Sequence, residues 1–525
     1  MRNIFGLLFL FCSSFLFGQA PAIAEKYAST IESETIKEHV YKLASPEFQG
    51  RETGTPGNLL AAQYISDQFK SYNIPVIPND NNYFQEVGFT TIKWSEIQMM
   101  VNGQKAEHLK DFLSIPQYFP LKDETMTINS LTFLGYGIDD PAYSDYNGRN
   151  FTGQHLLVYS GEPRDRNGNS RITGSDSLSA WSTELFLKTN AAIKAGAASI
   201  FFIDDKLRDD ILFARNYLLT GAMLMGSPEQ LTKNYIAHAM ISPVLAEKMV
   251  GKKRAKVIKL RNRISSKGKS GSLVIPVDID WTSKHKVTST EGVNVLGYIE
   301  GVDPAIKDEV VVVSAHYDHL GMRGNSIYFG ADDNASGTSA VLEIAQAMAL
   351  AKADGIGPAR SVLCILVTGE EKGLLGSQYY AEHPVFSLNN TVADINIDMI
   401  GRADTLHKQT NYTYVIGSDR LSTELHEINE TVNRLYTKLD LDYTYNRDDD
   451  PNRFYYRSDH YNFAKKGIPS IFYFSGVHED YHRPTDTPDK LMYEKAETIA
   501  QLAFHTAWEL ANRKDRIKVN VVGRN

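Results

Sequence analysis

The sequence predicts an α/β fold: a mostly parallel mixed sheet with helices on both faces, plus a smaller β-rich insert. Three observations lead there. From about Gly292 onward, short continuous apolar runs such as 310–315 and 361–367 alternate with helix-period segments. Strands that are apolar on both sides belong to parallel sheets covered on both faces. Residues 112–275 have a different texture, with short strands set between polar, glycine-containing turns. Finally, the apolar runs of the C-terminal half end in acids or histidine, and open α/β sheets bind ligands outside the carboxyl ends of their strands.

Taken in order, the chain of 525 residues begins with Arg2 and an apolar run from Ile4 to Phe17, followed by the small residues Gly18 and Ala20. That pattern is a secretory signal peptide covering 1–20, and it predicts an exported protein, periplasmic, cell-surface or secreted. The run is shorter than the ~20 residues that span a bilayer, and no later segment is long and apolar enough to do so. Only Cys12 and Cys364 occur, so neither a disulfide framework nor a thiolate zinc site is available. The net charge of −8 speaks against a nucleic-acid binder.

Residues 32–77 read as helical on both sides of a Gly/Pro-rich loop at 48–57, which on its own says only "turn". The catalytic domain is assigned to 21–110 and 285–525, the insert to 111–284. Within the insert, 191–196 reads as a small-residue helix ending at Gly196, before a strand at 199–203. The basic stretch 252–269 reads as a solvated strand face rather than a docking patch. After Gly292 the expected elements are strands at 310–315, 361–367, 391–399 and 469–474, and helices at 337–353, 421–439 and 493–512.

The strand ends carry the chemistry. The first runs into His316-Tyr317-Asp318-His319, and Asp332-Asp333-Asn334 opens the following helix. The second ends in Glu370-Glu371, the third in Asp398, and a late loop carries His482. Histidine with carboxylates suits Zn²⁺ in the absence of thiolates. Two zinc ions need one bridging carboxylate and flanking donors for each, which His316, Asp333, Glu371, Asp398 and His482 supply. Asp318, two residues from His316 in extended chain, points the same way and is placed to fix its tautomer. Glu370, beside a proposed ligand but pointing elsewhere, is a natural general base for the reacting water. Each feature alone has a plain structural reading, a helix start or an N-cap; together in one half of the chain they do not.

The segments AHYDHLG, GADDNASG, TGEEKGLLGS, NIDMIG and DYHRPTDT, with QGRETGTPG and SDHYNFAKKGIPS, resemble the co-catalytic di-zinc aminopeptidases, which include bacterial leucyl aminopeptidases and glutamate carboxypeptidase II. The resemblance implies two Zn²⁺ per chain, with His316 and Asp398 on one, Glu371 and His482 on the other, and Asp333 between them. It implies that Glu370 is the general base and that a tyrosine holds the oxyanion. Tyr455 matches one family placement and is taken here; Tyr481 matches another. Asp459 and His460 are read as braces of the site. The insert resembles a protease-associated domain through KTNAAIKAGAASIFFIDD. The implied activity is removal of N-terminal residues from peptide substrates. A carboxypeptidase or glutaminyl cyclase of the same fold, and a receptor-like binder with a lost metal site, are the rivals; the intact ligand set with Glu370 speaks against the binder.

Overall fold

In strands buried on both faces the pleat sends alternate side chains into different cores, and that is how the apolar runs are used. A computed structural model describes residues 22–77, 81–231 and 235–522, so the N-terminal apolar run lies outside it. Contacts divide the chain into two units, Met1–Gly88 with Glu291–Asn525, and Phe89–Thr290.

The first unit contains helices α1 (Ser33–Leu43), α2 (Pro56–Ser71), α3 (Gly337–Ala353), α4 (Leu375–Glu382), α5 (Thr423–Val432), α6 (His460–Ala464) and α7 (Tyr493–Asn512). Its strands are the C-terminal end of β1 (Leu273–Ile299), then β2 (Val310–His316), β3 (Ser361–Val367), β4 (Thr391–Ile397), β5 (Tyr412–Ile416), β6 (Asp440–Asp442) and β7 (Ser470–Phe474). Their order across the sheet is β6-β5-β7-β4-β2-β3-β1. The central four are mutually parallel, β2 lying between β3 and β4, and β4 beside β7. Antiparallel β1 flanks β3, and antiparallel β5 flanks β7. Val311, Val313, Ala315, Val362, Cys364 and Leu366 enter one core with residues of α1, α2, α3 and α7. Val310, Val312, Leu363, Ile365 and Val367 enter another with Tyr380 of α4 and Phe463 of α6. Each Val or Leu so buried contributes about 1.5–3 kcal/mol. Cys364 is buried and packs as an apolar residue, its thiol pushed up by burial.

The expected strands of this unit form within two residues of their predicted limits. The helix expected over 421–439 is shorter: Ser422 caps α5 by accepting from the Leu425 N–H, and a wider turn follows at Asn433–Thr437.

In the second unit, strands Glu124–Phe133, His155–Tyr159, Ser199–Ile203 and Ala237–Ile241 lie parallel in that order, and Glu124–Phe133 also pairs antiparallel with β1. Helices Leu185–Lys194, Leu207–Thr220, Pro243–Val250 and Arg254–Lys267 accompany them. The β-rich insert thus carries helices as well. The basic stretch is also corrected: most of it is the helix Arg254–Lys267. Val257 and Ile264 are buried one heptad apart with Leu260 between them, a helical spacing that the run of lysines and arginines obscures. The sequence placed the junctions at 110/111 and 284/285; the contacts divide the chain at Gly88/Phe89 and Thr290/Glu291, inside two long strands with no turn to mark them. Among the described residues, no helix is long and apolar enough to cross a membrane.

Candidate metal centre

Because β2, β3 and β4 are parallel neighbours, their carboxyl ends open on one side, and His316, Glu370, Glu371 and Asp398 arrive there together. Asp333 reaches the same place from the irregular turn Ala331–Ser336 that leads into α3, and His482 from the loop after β7. Donor atoms of His316, Glu370 and Asp398 lie within 4.8 Å of one another, and so do those of His319, Asp333 and Glu371.

Asp333 joins the two groups. Its Oδ1 lies 3.5 Å from His316 Nε2, and its Oδ2 lies 3.1 Å from His482 Nε2. His316 Nε2 is also 3.3 Å from Asp398 Oδ1, and His482 Nε2 is 3.2 Å from Glu371 Oε2. The Nδ1–H of His316 donates to the main-chain carbonyl of Asp318 at 3.1 Å. A carbonyl can only accept, so Nδ1 carries a proton, and Nε2 is the nitrogen turned toward the carboxylates. The contact of Asp318 with His316 is thus made by its carbonyl and not by the carboxylate that the sequence suggested, which is 3.7 Å from Nδ1. That carboxylate accepts from Thr53 Oγ1 at 2.8 Å and from the Glu370 N–H at 3.2 Å.

The electrostatics call for positive charge. Burial lowers the His316 imidazole, but Asp398, Glu370 and Asp333 outweigh it and hold it well above its ordinary value. Burial likewise works against protonated His482, yet Glu371 and Asp333 push it up to about 11. Carboxylates that bind protons this tightly on facing imidazoles form a donor set that a divalent cation fits. Burial, with Glu371, Asp459 and Asp398 nearby, raises the Glu370 carboxyl well above its usual range in spite of His316. Burial would raise Glu371 as well, but His482 and His319 pull it well below.

His316, Asp333, Glu370, Asp398 and His482 line an open cleft of about 370 Å³, together with Arg457 and an apolar wall of Met399, Phe454, Phe472, Phe474, Val477 and Tyr481. Tyr455, the sequence choice for the oxyanion, is not there. Phe454–Tyr456 is a tight helical turn, so Phe454 faces the cleft while Tyr455 points away. Tyr455 is 2% exposed, lies under the Arg420 guanidinium at 4.1 Å and borders a different cavity. Tyr481 lines the cleft and stacks on the His482 ring at 3.9 Å.

Several supporting residues were missed. Arg51, in the loop read as a turn, is fully buried and donates to the carbonyls of Leu43, Tyr317, Phe329 and Gly330 at 2.7–2.8 Å. A buried cation with four carbonyl partners cannot be told from a surface arginine by composition. Ser458 Oγ donates to Asp398 Oδ2 at 2.8 Å, and Asp486 accepts from the N–H groups of Asp332 and Asp333 at 3.1–3.2 Å. Asp459 accepts from Ser377 Oγ at 2.5 Å, and His460 packs on Phe472. His319 stood in the AHYDHLG segment unassigned. Strand alternation puts it opposite His316, but β2 ends at His316 and the alternation ends with it.

Residues 294–507 match the profile of Peptidase family M28. A probable leucine aminopeptidase of Arthroderma otae is 33% identical over 220 residues, 41% of this chain and 57% of that protein. Aminopeptidase YwaD of Bacillus subtilis is 27% identical over 217 residues, 40% of this chain and 43% of that protein. The chain thus spans about half the length of these curated relatives. Among solved structures, an aminopeptidase from Aneurinibacillus sp. strain AM-1 matches 95% of this chain and 98% of its own with a TM-score of 0.56 and 19% identity, which shows a shared fold.

Proposed function

On the premise that residues 294–507 belong to peptidase family M28, we propose that this chain is an exported zinc aminopeptidase that hydrolyses N-terminal residues from peptides. The observation that carries the reading is Asp333, whose two oxygens face two separate donor groups. His316 and Asp398 would hold one zinc and Glu371 and His482 the other, with Asp333 shared.

Zinc, when bound, supplies Lewis-acid polarisation of the scissile carbonyl and of the attacking water. Glu370 takes the proton of that water and returns it to the leaving amine. The Tyr481 hydroxyl, on the cleft wall beside His482, donates to the oxygen on which charge develops. The free α-amino group sits among the carboxylates, and the wall of Met399, Phe454, Phe472 and Phe474 takes an apolar side chain. The unit Phe89–Thr290 is read as a protease-associated-like insert, on its helix Leu185–Lys194 followed by the strand Ser199–Ile203.

The test is zinc analysis together with a panel of aminoacyl-coumarins. Two zincs per chain at saturation, chelator-sensitive release of coumarin and inertness toward N-acetylated substrates are expected. Cleavage of N-acetylated peptides from the C-terminus would assign a carboxypeptidase instead, and zinc binding without hydrolysis would assign a binder.

A further inference from the structure

We propose that His319 is a fourth protein donor to the second cation position, which would then be closed by protein while the first keeps a corner free. The inference rests on the two-zinc reading above and adds to it a residue outside the expected five.

His319 is 0% exposed, and no well-aligned hydrogen bond satisfies either of its ring nitrogens. Its Nδ1 lies 2.8 Å from Glu371 Oε1, an oxygen that is itself buried without a hydrogen bond, and 3.7 Å from Asp333 Oδ2. Buried imidazoles and carboxylates are normally satisfied. Two such atoms this close, yet out of hydrogen-bond alignment, are aimed at a common point rather than at each other. His482 Nε2 approaches the same two carboxylates from another side, and the two imidazoles stand edge to face with centroids 5.8 Å apart.

The main chain of Gly330 packs against the ring. Gly330 lies against it so closely that a Cβ there would stand 2.5 Å from His319 Cδ2, and Gly330 has φ 56, a backbone state that side chains disfavour. His319, His482, Asp333 and Glu371 make a nitrogen and oxygen set of four, the number zinc takes in closed sites. His316, Asp398 and Asp333 give the other position three, the number typical of open, catalytic ones. The two cations would then differ in role: the closed one anchors Asp333 and Glu371, and the open one meets the substrate.

The experiment is zinc K-edge absorption spectroscopy of the fully loaded wild-type protein, with equilibrium zinc titration of wild type and His319→Gln. Three imidazoles per zinc pair, from His316, His319 and His482, support the proposal; two overturn it. The spectrum of the wild type decides this even where the variant fails to fold. In His319→Gln, one of the two zincs should bind at least about 100-fold more weakly, beyond the roughly 10–100-fold loss of an outer partner alone, and the imidazole count should fall by one. Weaker binding with an unchanged count would make His319 a hydrogen-bonding neighbour of Glu371 and overturn the proposal, as would unchanged binding. A wild-type chain that saturates at fewer than two zincs overturns the two-zinc reading itself, and the proposal falls with it.

Discussion

His316 and Asp398 stand at the ends of two hydrogen-bonded parallel strands, whereas His319 and His482 stand on loops and Glu371 on the single tight turn Glu370–Lys372. The strand-borne pair is braced from behind. Ser458 holds the second oxygen of Asp398, the Asp318 carbonyl holds the Nδ1–H of His316, and Thr53 holds the Asp318 carboxylate. The loop-borne group depends more on its own mutual approach. His482 has φ 56, uncommon for a histidine, and its side chain remains 35% exposed. The comparison teaches that one shared carboxylate joins a rigid half, placed by backbone pairing, to a half that a cation must help to organise. Variants in each half should therefore fail in different ways.

The largest effect is expected from the neighbouring acids at the end of β3. Glu370→Gln should lower kcat about 10²–10⁴-fold with both zincs retained, because glutamine fills the same space but cannot accept the proton of the water. Glu371→Gln should lose zinc from the loop-borne half along with rate. Parallel measurement of kcat and zinc content separates the two. A Glu370→Gln variant retaining more than about a tenth of wild-type kcat would remove it as general base.

The next effect divides two tyrosines. Tyr481→Phe should cost about 10²–10³-fold in kcat with little change in KM, as for loss of an oxyanion donor. Tyr455→Phe should leave kcat within about twofold, since its ring packs under Arg420 away from the cleft. The reverse order would restore the assignment that the sequence favoured.

These contrasts also mark what could be read without coordinates. The parallel sheet was legible because β2 and β3 bury both faces, so unbroken apolar runs betray them. His316, Asp333, Glu370, Glu371 and Asp398 were legible because they sit at or just beyond the ends of those runs or at the start of α3. Tyr455 was misplaced because spacing cannot say which way a one-turn helix faces. Arg51, Ser458 and His319 were overlooked because their partners come from distant parts of the chain, through carbonyls and buried oxygens that carry no local pattern. The helix Arg254–Lys267 was misread because nine cations within 252–269 hid an apolar stripe of three residues.

The smallest effect expected is the one most specific to the braced half. Ser458 is 1% exposed; its hydroxyl donates to Asp398 Oδ2 and accepts from Asn396 Nδ2, both at 2.8 Å. Ser458→Ala removes one oxygen and leaves both partners buried, so the folded chain should lose about 1–3 kcal/mol. That loss appears as a lower denaturation midpoint with an unchanged m-value. Asp398 would also be free to rotate, and one zinc should bind about 10-fold more weakly, the low end for loss of an outer partner. The zinc affected should be the one that His316→Ala releases, not the one that His482→Ala releases, because no bond from Ser458 reaches the loop-borne donors. If titration shows both zincs weakened equally, the two halves are one rigid unit and the contrast between them fails. If neither changes, the strand ends alone hold Asp398, and its hydroxyl partner serves stability only.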